Sequence, residues 1–184
     1  MLRKDCLTRQ VAVLEADSEK QLALVFSART VLGPDGRVLM QRSCPGQGEG
    51  RVPAQKLMRT CIRSGTNVIG EPGAVMMRRE LAQRIGSFDA SQPYVIDLDY
   101  WFRLLANGDA HYCAEALASF RVSSSQWSVA IGHAQDDNFM LFVRRFAGQF
   151  DPPLGQFEML RTRWRARRNM WMRLLFYKFY LRGP

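Results

Sequence analysis

Histidine is almost absent from this chain, and paired cysteine is missing altogether. His111 and His133 stand far apart in sequence, and Cys6, Cys44, Cys61 and Cys113 are scattered with no Cys-x-x-Cys among them. These absences argue against a zinc site and a disulfide framework and leave four reduced thiols as the expectation. No uninterrupted apolar run approaches the roughly 18 residues that span a bilayer, and the first residues lack the apolar core of a signal peptide. A cytoplasmic chain is therefore expected. No internal repeat or low-complexity block is visible. Acid is missing from the tail: from Arg161 to the last residue there are eight basic residues and no Asp or Glu. That leaves 18 of the 26 basic residues facing 17 acidic ones upstream, so a nearly neutral body carries a tail that holds the net charge of +9.

What is present fits a globular protein. The 184 residues are 47% hydrophobic and 23% charged, enough for one domain with a real core. Apolar spacing predicts a helix over residues 6–16 and a strand over 22–27. Gly33-Pro34-Asp35-Gly36 is a turn that returns Val38-Leu39-Met40 as a hairpin. Residues 43–50 are Gly-rich and aperiodic, an exposed loop. Further helices are expected over 54–63, 79–85, 97–107, about 128–150 and 156–180, with strands over 73–77, 110–114 and 117–122. Strand and helix alternate up to about residue 122 and helix alone follows, so the expected class is α/β, a mixed sheet with flanking helices and a helical C-terminal extension.

The stretch 86–103 draws chemical interest. It sets Asp97 and Asp99 where a Pro-bearing loop hands over to an apolar helix, followed by Tyr100 and Trp101. Read locally, Asp97 caps the helix and Asp99 adds favourable charge at its positive end, which would lower the Asp97 pKa. Trp101 falls on the inner stripe with Leu98, Phe102 and Leu105, and Arg103 is spaced to pair with Asp99 on the solvent side.

The order and spacing of several short motifs over about residues 5–142 resemble the second half of a family 2 glycosyltransferase of the GT-A fold. They are Leu24-Val25-Phe26-Ser27, Asp35-Gly36-Arg37, Asn67-Val68-Ile69-Gly70-Glu71-Pro72, Val75-Met76-Met77-Arg78-Arg79, Gly86-Ser87-Phe88-Asp89, Asp97-Leu98-Asp99-Tyr100-Trp101-Phe102-Arg103 and Phe120-Arg121-Val122-Ser123. The resemblance implies transfer of a sugar from a nucleotide-sugar donor to a glycan or lipid-linked acceptor, as in polysaccharide biosynthesis. It makes Asp97 the catalytic base and places Glu71 in a segment that faces the acceptor, where the alternative is a plain turn before a strand; Asp99 and Trp101 are further candidates for acceptor binding. Two positions depart from the family pattern. Ile96 replaces the usual acid before Asp97, and Ser123 replaces a histidine that helps many relatives hold a divalent ion.

The nucleotide-binding half with its Asp-x-Asp motif is not represented in this sequence. A divalent ion, Mg or Mn, is expected only with that half, and the chain alone is expected to bind sugar nucleotide poorly and turn over nothing. Residues 1–125 then form the acceptor-side half and residues 126–184 the helical extension. A half domain exposes a sheet edge, so self-association is expected.

In the tail, Arg163, Trp164, Arg167, Arg168 and Trp171 interleave cations with aromatics. That composition suits the anionic inner face of a membrane, cover for a sheet, or, least, nucleic acid. The competing reading of the whole chain is a non-catalytic module that binds a membrane or a partner.

Overall fold

The computed structural model describes residues 1–122 and 132–180. Its centre is β1 (Leu22–Leu32), buried along nearly its whole length as a strand covered on both faces must be. The sheet is mixed and runs β2-β1-β5-β3, where β2 is Val38–Arg42, β3 Gly50–Val52 and β5 Asp109–Arg121. The chain returns from Leu32 through the Gly33-to-Arg37 turn to pair β2 antiparallel with the second half of β1. On the same edge, β4 (Val75–Met77) pairs antiparallel with Leu24, Val25 and Phe26.

β5 lies parallel to β1 over its full length. The sequence predicts two strands here, 110–114 and 117–122, and the structure has one. Pairing passes from Ser27 opposite Cys113 to Ala28 opposite Ala116, so Ala114 and Glu115 bulge outward and the strand resumes beyond them. The charged Glu115 in mid-strand marks a bulge and not an end. Glu115 is taken there by Arg3 and Arg9 at 2.8 and 2.6 Å.

Side chains that alternate along β1 serve two cores. Val25 meets Cys6 and Leu14 of α1 (Cys6–Ala16) on one face. Leu24, Phe26 and Ala28 join the larger core on the other, with α2 (Ala54–Ser64), α4 (Ile96–Leu105) and α5 (Gln135–Phe146). A short α3 (Arg79–Ile85) precedes α4 and ends at Gly86, as its glycine predicts. α6 (Gln156–Tyr180) packs across α2 and α5.

The expected boundary near residue 125 separates two stretches of sequence but not two cores. Phe102 of α4 meets Phe142 and Phe146 of α5 at ring-centroid distances of 4.9 and 5.2 Å, and Ala166 of α6 belongs to the same cluster. Gly65 ends α2 at φ +65°, and a Cβ there would stand 2.6 Å from the Ala166 nitrogen, so α6 lies close against the helix end. Asn169 secures the contact by donating to the Ser64 and Gly65 carbonyls at 2.8 and 3.2 Å. The long helix expected from about residue 128 begins at Gln135 after a turn at Gly132–Ala134, and residues 128–131 lie outside the described residues. Among the described residues no helix is long and apolar enough to cross a membrane.

Candidate functional site

Between the open end of the sheet, the start of α4 and the inner side of α6 lies a cavity of about 910 Å³. Its charged lining comprises Asp97, Glu71, Arg29, Arg42 and Arg173, with Tyr94 and Tyr177 beside them.

The wall that carries Glu71 is built by Asn67. Its side-chain oxygen accepts from the Ile69 and Gly70 amides at 3.0 and 2.9 Å, and its amide donates to the Gly70 carbonyl at 2.9 Å. This is the local turn that asparagine favours, with Gly70 at φ +124° where a side chain would be strained. The turn aims the Asn67 and Val68 carbonyls at Arg29, which donates to both at 3.3 Å. Glu71 then meets the Arg29 Nε at 2.7 Å. Arg29 is 2% exposed, and a guanidinium in that position requires such a partner.

Asp97 sits in the first turn of α4, as its second residue. The cap position is Val95 and no side chain caps the helix, so the expectation that Asp97 is the cap does not hold. Its carboxylate makes no hydrogen bond or ion pair among the described residues. Burial, and then the nearby charge of Glu71, push its pKa up from 3.8 to about 6. The helix terminus alone predicts the opposite direction, and desolvation with a like charge outweighs it. A carboxylate poised near 6 is a stronger base than an ordinary aspartate and still ionised at neutral pH.

The structure brings Asp97 and Glu71 together and takes Asp99 and Trp101 elsewhere. Asp99, two residues on, points to the far side of α4 because a helix turns by about 100° per residue. It is 3% exposed and lies against Arg103 at 2.9 Å and Arg145 of α5 at 3.2 Å. The pair with Arg103 is thus mostly buried rather than solvent-facing. Trp101 is fully buried, its indole N–H donating to the Gly70 carbonyl at 2.9 Å. It supports the Glu71 loop from behind and has no face on the cavity. Ser123 lies outside the described residues.

Arg29, Arg42 and Arg173 went unnoticed in the sequence. Arg29 had a signal, the one charged residue inside a long, mostly apolar strand. Arg173 had none, since nothing in the cation-rich tail marks it as a residue that turns to the cavity, over the Tyr94 ring at 5.4 Å. Arg163, Trp164, Arg167, Arg168 and Trp171 all stay exposed on the opposite side of α6.

Asp97 and Glu71 do not fit a divalent ion. Glu71 is engaged by Arg29, Asp99 faces away, and among the described residues no group of three His, Cys, Asp or Glu side chains is placed to hold a metal. Compared with known proteins, the chain matches no protein-family model and no curated protein.

Proposed function

We propose that this chain is the acceptor-side part of a sugar transferase that uses nucleotide-sugar donors, of the family 2 glycosyltransferase type, with Asp97 as the base. The observation that carries the reading is Asp97 itself: a carboxylate with no partner among the described residues, raised to about 6, on the wall of a cavity large enough for a saccharide. In the reaction, Asp97 takes the proton of an acceptor hydroxyl. The freed oxygen bonds to the anomeric carbon of the donor sugar as that carbon's bond to the phosphate oxygen breaks, and the nucleoside diphosphate leaves with the bonding electrons. Glu71 holds Asp97 basic through its charge and, anchored by Arg29, offers its other oxygen to acceptor hydroxyls. Tyr94 and Tyr177 supply ring faces of the kind that pack on sugars.

Saturation-transfer NMR of the purified chain with a panel of mono- and oligosaccharides and micelle-borne prenyl-phosphate sugars tests the acceptor site. Contact with one class is expected, lost on filling the cavity with Thr66→Trp and retained in Asp97→Asn. No contact with any member of the panel, or contact that survives Thr66→Trp, overturns the reading.

A further inference from the structure

α6 is apolar on two opposite sides. Thr162, Ala166 and Met170, four residues apart, are 1%, 2% and 3% exposed and form the inner side. Phe157, Leu160, Trp164, Trp171 and Leu175 recur at helical spacing on the outer side and are 71%, 67%, 63%, 49% and 52% exposed. Among the described residues outside α6 only the His133 ring meets this stripe, at 5.3 Å from Trp171, and the stripe at about 1.5 Å per residue runs along most of the helix.

Its borders are cationic. Arg161, Arg167, Arg168 and Lys178 are exposed and have no carboxylate partner among the described residues. The guanidiniums of Arg161 and Arg168 lie over the Phe157 and Trp164 rings at 5.3 and 5.2 Å. The one acid of α6, Glu158, is turned to the body of the protein, where Arg59 and Arg63 take it at 3.1 and 2.9 Å.

We propose that this outer side of α6 lies flat on an anionic lipid bilayer, with Trp164 and Trp171 at the headgroup boundary and the bordering cations among the phosphates. Charge complementarity selects that occupant. A second copy in a two-fold dimer would bring the same cations to face these, with no acid to meet them. A nucleic acid would satisfy the cations and stack on the tryptophans but leave Phe157, Leu160 and Leu175 in water. A bilayer satisfies both features at once. Met172 is 60% exposed and also lines the cavity, so a docked bilayer borders the cavity mouth. The surface stands whether or not the chain is a transferase.

The test is flotation of the full chain with vesicles of phosphatidylcholine alone and with about 30 mol% phosphatidylserine, at low and high salt. Binding to the anionic vesicles only is expected, with a blue shift of tryptophan emission. Trp164→Ser with Trp171→Ser, and separately Arg161→Gln with Arg168→Gln, are expected to weaken binding by about tenfold or more, with circular dichroism confirming that each variant stays folded, since Trp171 also meets the His133 ring. Equal association with neutral vesicles, no association, or indifference to the tryptophan pair overturns the proposal. So does a dimer in size-exclusion chromatography that the tryptophan substitutions dissolve, or RNA binding that the arginine substitutions alone remove.

Discussion

Replacing Asp97 with asparagine is expected to stabilise the fold at neutral pH while removing its proposed chemistry. Folding raises the pKa of this carboxyl from 3.8 to about 6. Between those values the native state holds more protons than the unfolded chain, so the stability contributed by this group falls as pH rises through that window. The rise is roughly 150-fold in proton affinity, an upper bound of about 3 kcal/mol. Asp97 is only half-buried and water screens part of the effect, so about 1–2 kcal/mol is the working figure. Asparagine carries no charge and escapes this penalty. Urea unfolding of both proteins, followed by circular dichroism from pH 4 to pH 7.5, is expected to show near-equal stability at pH 4. The asparagine variant then gains with pH, reaching about 1–2 kcal/mol above pH 6.5, or about 3–6 °C in Tm. An unchanging difference across the range, or a less stable variant at pH 7.5, would show that Asp97 is satisfied in the native state and refute the argument for a poised base. Where transfer is measured, the same substitution is expected to lower kcat by about a hundredfold or more, and the wild-type rate to rise with pH to a plateau above about 6.

Glu71→Gln leaves the Arg29 guanidinium buried without its counter-charge and is expected to cost about 2–3 kcal/mol in urea unfolding, whereas Arg29→Met, which removes the buried charge itself, costs less. No measurable loss in Glu71→Gln would mean that the Asn67 and Val68 carbonyls suffice for Arg29. Gly65→Ala meets a positive φ and the Ala166 backbone together and is expected to lower stability by about 2 kcal/mol or more; a neutral result would show that α6 yields freely at that contact. All four cysteines are buried, with the Cys61 thiol pushed up to about 12 and those of Cys44 and Cys113 to about 11 by burial. Reaction with a thiol reagent at pH 8 should therefore be slow at every cysteine until the chain is unfolded, and one fast thiol in the native protein would contradict this.

Local chemistry is enough to read the order of elements. The helices at 6–16, 54–63 and 79–85, the hairpin at Gly33-Pro34-Asp35-Gly36, and the inner stripe of α4 follow from apolar spacing, turn residues and capping glycines, which act within a few residues of one another. So does the interleaving of cations and aromatics in the tail, because it is composition. The strand β5 shows where that limit lies. Its break at the charged Glu115 looks like two strand ends, and only β1 alongside, with Arg3 and Arg9 on Glu115, makes it a bulge.

The site belongs to the tertiary structure. Asp97 and Asp99 are alike in sequence, yet one faces a cavity and the other a pair of arginines, because α4 is enclosed on nearly all sides and each side has its own neighbours. The direction of the Asp97 pKa reverses between the two levels for the same reason. A helix terminus acts within one turn and is legible in the sequence, whereas burial beneath α6 and the charge of Glu71 arrive from distant segments. That Arg173 turns to the cavity, and which side of α6 stays largely exposed, depends on how α6 lies across α2, and that packing is set by Gly65, Ala166 and Asn169 together.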